Sequence, residues 1–387
     1  MDQEQLAIRC SLVRGGTSKA VFIMENELPE DQALKDKTIL ALFGSPSLRQ
    51  LDGLGGADPT TSKVAIIGPS SHPDADVDYT FGQVSMIKAF VDYGGNCGNI
   101  SSAVGPYAIN NGLVRTTEPV TTVRIHLTNS GSILVAGVRV KNGKSCINGD
   151  CKIGGVPGTG SPIEMDWTGA QGAITGKLLP TGNVRDDIEM DGKTYSVSVV
   201  DTGNLVIYAR AEDFGIYGTE SPDALNADKE LLEKTEKLRG LVSQKIGLVK
   251  DWRDAREHIP YNPFVTLLAQ PVAYDTYTGE HVAADQVDMV ARIYVMLSFV
   301  RAFPGTATAC TGLAARIPGS LVHELLGVSL KKKEFSIGHA TGTITVRSEA
   351  EYPQGPSAMP EIRKISFIRT ARILMDGLAY VRASDLR

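Results

Sequence analysis

Three short stretches of this 387-residue sequence put reactive side chains where their chemistry could be used. In GNCGNISSAVGPYAI (95–109) a single thiol, Cys97, stands between glycines and asparagines just ahead of a small-residue apolar run that reads as a helix. A cysteine that opens a helix sits beside unpaired first-turn N–H groups and the positive end of the dipole, the setting in which a thiolate becomes available as a base. In GADPTTSKVAIIGPS (56–70), Lys63 heads an apolar strand, where a buried ammonium must find anionic company or give up its charge. In RGGTSK (14–19), two glycines, two hydroxyls and two cations (Arg14, Thr17, Ser18, Lys19) share one turn, a composition suited to gripping a carboxylate. A second thiol, Cys310, lies in GTATACTGLAAR (305–316) in similar small-residue surroundings. Cys97 also has a bland reading as a buried small residue, and the 14–19 turn one as a plain turn with exposed charges.

Other signals fail on inspection. The lead-in to Lys63 lacks the Gly before and the Ser or Thr after the lysine that a phosphate loop needs. HPDADVD (72–78) alternates aspartates like a calcium loop, but Tyr79 and Ser85 stand where glycine and glutamate are required. The six histidines are scattered and form no metal-binding pattern, and Cys146 and Cys151 flank an Asn-Gly turn, so no metal and no redox role is expected. A net charge of -5 with scattered basic residues argues against nucleic acid. No apolar run approaches the roughly 20 residues a bilayer requires. With no basic-then-apolar leader evident, the expected compartment is the cytoplasm.

Around these residues the order of elements occurs twice. SLVRGGTSKAVFI (11–23) is matched by SVVDTGNLVIYA (198–209), each a strand, a glycine turn and a second strand. Each is followed by a stretch with apolar residues at helical spacing. SKVAIIGPS (62–70) then corresponds to FVTLLAQPV (264–272), and both halves reach a small-residue turn with one cysteine and a helix. A period near half the chain implies two related domains, expected over 1–189 and 190–387 with the site between them and the turn-rich Ala173–Lys193 stretch as connector. The expected fold is α+β: two pseudo-symmetric domains, each a curved, mostly antiparallel sheet around a central helix of Gly, Ala and Ser. The last strands (365–381) have no derivable place, a return to the first domain being one option, and a homo-oligomer is left open.

VRGGTSKAVFI, TSKVAIIGPS, VDYTFGQVS, NCGNISSAVGPYAI, GTATACTGLAARIPG and RTARILMDG, in this order, resemble the motifs of the PrpF family of isomerases, which shares the diaminopimelate epimerase fold. The resemblance implies a substrate cleft, no cofactor, a small polycarboxylate substrate, and catalysis by the lysine of TSK and the cysteine of GNCGN, here Lys63 and Cys97. It further implies allylic proton transfer in a small unsaturated acid, methylitaconate by preference, with methylaconitate or 4-oxalomesaconate as alternatives. Which of the two groups is base and which acid stays open. Arg14, Thr17, Ser18, Lys19, Ser62, Asn96, Gly98 and Asn99 are expected to grip the carboxylates, with Thr311 and Gly312 doing so from the other half. Cys310 leaves open a two-thiol amino-acid epimerase, and a non-catalytic carboxylate-binding protein is a third possibility.

Overall fold

The computed structural model describes residues 4–355 and 358–386. They form two compact units, one of Met1–Lys152, Gly158–Met165 and Arg369–Arg387, the other of Ile153–Pro157 and Asp166–Ile368. The expected connector belongs to the second unit, so its limits differ from a break at 189/190. Strand Asp186–Met190 forms a hairpin with Lys193–Thr202 across Asp191-Gly192, both at positive φ, as a two-residue turn matching strand twist requires. Two backbone N–H groups of the same stretch, those of Ile174 and Thr175, donate to the Asp201 carboxylate at 3.0 and 2.6 Å.

In the first unit, strand Gln5–Gly15 turns back into Ser18–Met24, with Gly15 opposite Ser18. Helix Gln32–Phe43 then crosses over; Asp31 caps its start by accepting from the Leu34 N–H, and Gly44 ends it at φ 64°. The chain re-enters as Lys63–Pro69, parallel to Ser18–Met24, and folds back as Val77–Val84. After the helix Gly98–Asn110 come Val120–Leu127, parallel to Val77–Val84, and its antiparallel neighbour Ser132–Lys141. The far strand Ala371–Arg382 returns to pair along the whole of Gln5–Gly15.

Alternation along these strands sorts their side chains onto two faces. Val21, Ile23, Val64, Ile66 and Val84 pack with Ile39, Leu42 and Phe43 of the crossover helix. The opposite face, with Ala20, Phe22, Lys63, Ala65 and Gln83, is turned toward Gly98–Asn110, and the Phe22 and Tyr107 rings lie 5.1 Å apart there. That helix is buried from Gly98 to Ile109, which its small side chains permit. A Cβ on Gly105 would come within 2.8 Å of Val138.

The second unit repeats the plan. Lys193–Thr202 pairs antiparallel with Asn204–Arg210, helices Pro222–Ala227 and Lys229–Lys245 cross over, and Phe264–Ala269 returns parallel to Asn204–Arg210. Met289–Val295 follows antiparallel, then the fully buried helix Gly305–Ala314, then Glu334–His339 parallel to Met289–Val295 and its partner Gly342–Glu351. Among the described residues no helix is long and apolar enough to cross a membrane.

Phe22 is fully buried between sheet and central helix. Phe22→Ala is expected to lower stability by roughly 3–5 kcal/mol, read as a shifted denaturant midpoint.

Candidate active site

Cys97 is the N-cap of the central helix of the first unit, extended at φ -117° and ψ 99°, with its side chain making no capping bond. Its carbonyl instead starts the helix, accepting the N–H and hydroxyl of Ser101, both at 2.8 Å. The sulfur therefore stands at the positive end of a buried helix, next to first-turn N–H groups that have no acceptor within the helix. Gly98 and Asn99 form that turn, and Asn96 before it is buried, its amide donating to Ser130 Oγ at 3.2 Å.

Lys63 comes to the same end of the helix from the sheet. Its position follows from register: it lies opposite Ala20 on one neighbouring strand and Gln83 on the other. Only 7% of it is exposed, and its Nζ donates to Gln83 Oε1 while standing 5.2 Å over the Phe81 ring. Burial pushes the amine below the ordinary lysine value of 10.5, and the Cys97 and Asp58 charges pull it back up. Lys63 and Cys97 are both buried, and the Cys97 charge is among those that act on the amine.

The 14–19 turn packs directly on the helix start. A Cβ at Gly15 would lie 2.5 Å from Asn99 O, and one at Gly16, where φ is +51°, 2.2 Å from Asn99 Oδ1. Asn99 Nδ2 donates to Thr17 Oγ1 at 3.0 Å, and Arg369 Nε donates to Asn99 Oδ1 at 3.0 Å. Ser18 is buried on the Lys63 side of its strand. The two cations of the turn are placed differently. Arg14 and Lys19 are paired in register on the opposite face from Lys63, and Arg14 donates to the Gly16 and Thr370 carbonyls at 3.0 and 2.8 Å. The Ser62 hydroxyl likewise points away, donating to Gln50 Oε1 at 2.6 Å.

Cys310, Thr311 and Gly312 depart from the expected turn-then-helix placement. The second unit's helix begins at Gly305 with Pro304 as N-cap, so Cys310 is its sixth residue, fully buried and donating to Val200 O at 3.3 Å. Burial pushes its thiol up to about 12. Thr311 donates to Ala307 O at 2.7 Å, and a Cβ on Gly312 would come within 2.7 Å of Val346. These three are packing residues of the helix interior. The reason is that Pro304, with its fixed φ, starts the helix earlier than the thiol.

Sequence reasoning passed over Gln83 and Arg369. Gln83 carried a signal, being a long polar residue on the same strand face as Val77, Tyr79 and Phe81. Arg369 is 270 residues from the asparagine it touches, and its guanidinium, 4% exposed, is lowered to about 9 by burial while Cys151 and Cys97 oppose that shift.

Two units, each a mixed sheet around a buried small-residue helix, define the epimerase-like α+β class of fold. The chain belongs to the PrpF family, whose PrpF protein description matches residues 5–382. It is 47% identical to 3-methylitaconate isomerase of Eubacterium barkeri over 99% of both chains. It is 36% identical to 2-methyl-aconitate isomerase of Shewanella oneidensis over 97% of both. Among solved structures, a methylitaconate-delta-isomerase superimposes with a TM-score of 0.82 at 46% identity, covering 100% of this chain and 98% of the other.

Because Cys310 lies inside a helix with its thiol held protonated, Cys310→Ala is expected to leave isomerisation within about threefold of native while costing up to roughly 1 kcal/mol of stability. Turnover and thermal melting of the purified variant check this.

Proposed function

We propose that this isomerase moves a proton along the three-carbon allylic unit of methylitaconate, with Cys97 and Lys63 as the transferring pair. The observation that carries the reading is a thiol capping a buried helix N-terminus together with a buried amine on the sheet face turned toward that helix. The identity of 47% to a 3-methylitaconate isomerase, against 36% to a 2-methyl-aconitate isomerase, supports the choice of substrate.

The chemistry follows from the substrate's weak carbon acid. Removing the proton from the carbon that bears the methyl group and a carboxylate leaves an electron pair, which spreads through the adjacent C=C as a dienolate. Protonation at the far methylene carbon then completes the shift of the double bond. The dienolate needs donors already aimed at its carboxylate oxygens, each worth roughly 3–4 kcal/mol in comparable sites. The N–H groups of Gly98 and Asn99 can supply them, with Thr17 and Ser18 beside them. One member of the pair accepts the proton while the other, carrying a proton, returns one; burial lowers the Lys63 amine, which brings it closer to the range where it can do either.

The two-thiol epimerase reading requires a second thiol at a helix start. Pro304 occupies that position in the second unit. What remains is a pair of unlike groups, thiol and amine, suited to delivering and accepting protons at two different carbons.

Cys97→Ser and Lys63→Met are each expected to reduce deuterium uptake into methylitaconate in D₂O, followed by NMR, by roughly 10²–10⁴-fold. Faster native exchange into methylaconitate, 4-oxalomesaconate or an amino acid would replace the substrate assignment, and full activity in either variant would remove the pair.

A further inference from the structure

Gln83 has no part in the proposed chemistry directly, yet its buried amide makes three hydrogen bonds at this site, two donated and one accepted from Lys63. Gln83 is 1% exposed. Its Nε2 donates to Pro59 O at 3.0 Å and Ser62 O at 2.9 Å. Both are acceptors only, so the amide orientation is fixed, and its oxygen is the atom that faces Lys63 Nζ. The loop supplying those carbonyls is itself held: Gln50 accepts from the Ala57 N–H and the Ser62 hydroxyl and donates to Ser45.

We propose that Gln83 is a positioning residue for Lys63, its neutral carbonyl oxygen fixing the ζ-nitrogen toward Cys97 while allowing it to exchange its proton. The inference rests on Lys63 being one of the transferring pair. A carbonyl oxygen accepts from an ammonium and from an amine alike, so it holds the nitrogen in place through both halves of a proton-transfer cycle. A carboxylate at the same point would form an ion pair, favour the ammonium and oppose its discharge. The groups facing Lys63 are few. Cys97 approaches from the helix and Asp58 from the 45–62 loop. Asp58 Oδ1 is already bonded to the N–H and hydroxyl of Thr60. The neighbouring strand offers only uncharged Ser18 and Ala20, and Val77–Val84 adds the Phe81 ring. Beyond Gln83, in register, lies Asp92, whose Oδ1 accepts from the Gly94 N–H and whose carboxyl is raised by burial. Gln83 thus gives Lys63 Nζ a neutral hydrogen-bond acceptor at a point where Cys97 and Asp58 are the charges that act on it.

The test compares pH profiles of deuterium uptake into methylitaconate for native enzyme, Gln83→Glu, Gln83→Met and Lys63→Met. In Gln83→Glu the limb that belongs to the amine should move alkaline by roughly 1–3 pH units. In Gln83→Met, which keeps the volume but not the acceptor, kcat should fall roughly 10²-fold with KM little changed, as a misplaced reacting group predicts. Two variants whose rates fall by one common factor at every pH, or that match native, overturn the proposal. Native protein labelled with ¹⁵N-lysine gives a readout that does not depend on variants folding: Lys63 Nζ should titrate below 10.5, and a Lys63 that stays ammonium beyond that value overturns the proposal. An active Lys63→Met overturns the catalytic reading itself, whereas an inactive one with an unmoved Gln83→Glu profile defeats only the role of Gln83.

Discussion

The close approach of a glycine turn to the first turn of a buried helix is the constraint on which the site depends. Gly15 and Gly16 leave no room for a Cβ against Asn99. Any side chain there would push the hairpin off the helix. With the hairpin in place, Ser18–Met24 fixes the register of Lys63–Pro69, and that register alone decides that Lys63 faces the helix rather than the crossover helix behind the sheet. A slip of one residue would put Ser62 or Val64 at that point. The thiol needs no comparable alignment, because capping the helix already sets its place.

The two units share a plan and differ in use. Each has a hairpin, a helical crossover to a parallel strand, and a buried small-residue helix at whose start an asparagine–threonine bond joins the hairpin turn. In the first unit the bond runs from Asn99 on the helix to Thr17 on the turn; in the second it runs from Asn204 on the turn to Thr306 on the helix. At the cap itself they diverge, with Cys97 in one and Pro304 in the other. The second helix keeps a thiol one and a half turns further in, where burial keeps it protonated and its neighbours are core.

Much of this was legible. The doubled order of strands, the glycine turns and the all-buried helices follow from periodicity and from small residues that only a wrapped helix can use. The helix start in the second half was not, since GTATACTGLAA has the same composition in any register and Pro304 decides where it begins. The cations of RGGTSK were misread for a related reason: composition grouped Arg14 and Lys19 with Thr17 and Ser18, whereas strand alternation turns them to the other face. Gln83 and Arg369 act through tertiary contact, and a contact between residues 99 and 369 leaves no trace in local pattern.

The strand Ala371–Arg382 lies beside Gln5–Gly15, and Arg369, two residues before it, reaches Asn99. The first unit is thus closed by contacts between residues 356 apart in the chain, such as Arg14 with Thr370, whereas the second is drawn from one nearly unbroken stretch. Forming the first unit therefore carries the larger loop-closure entropy.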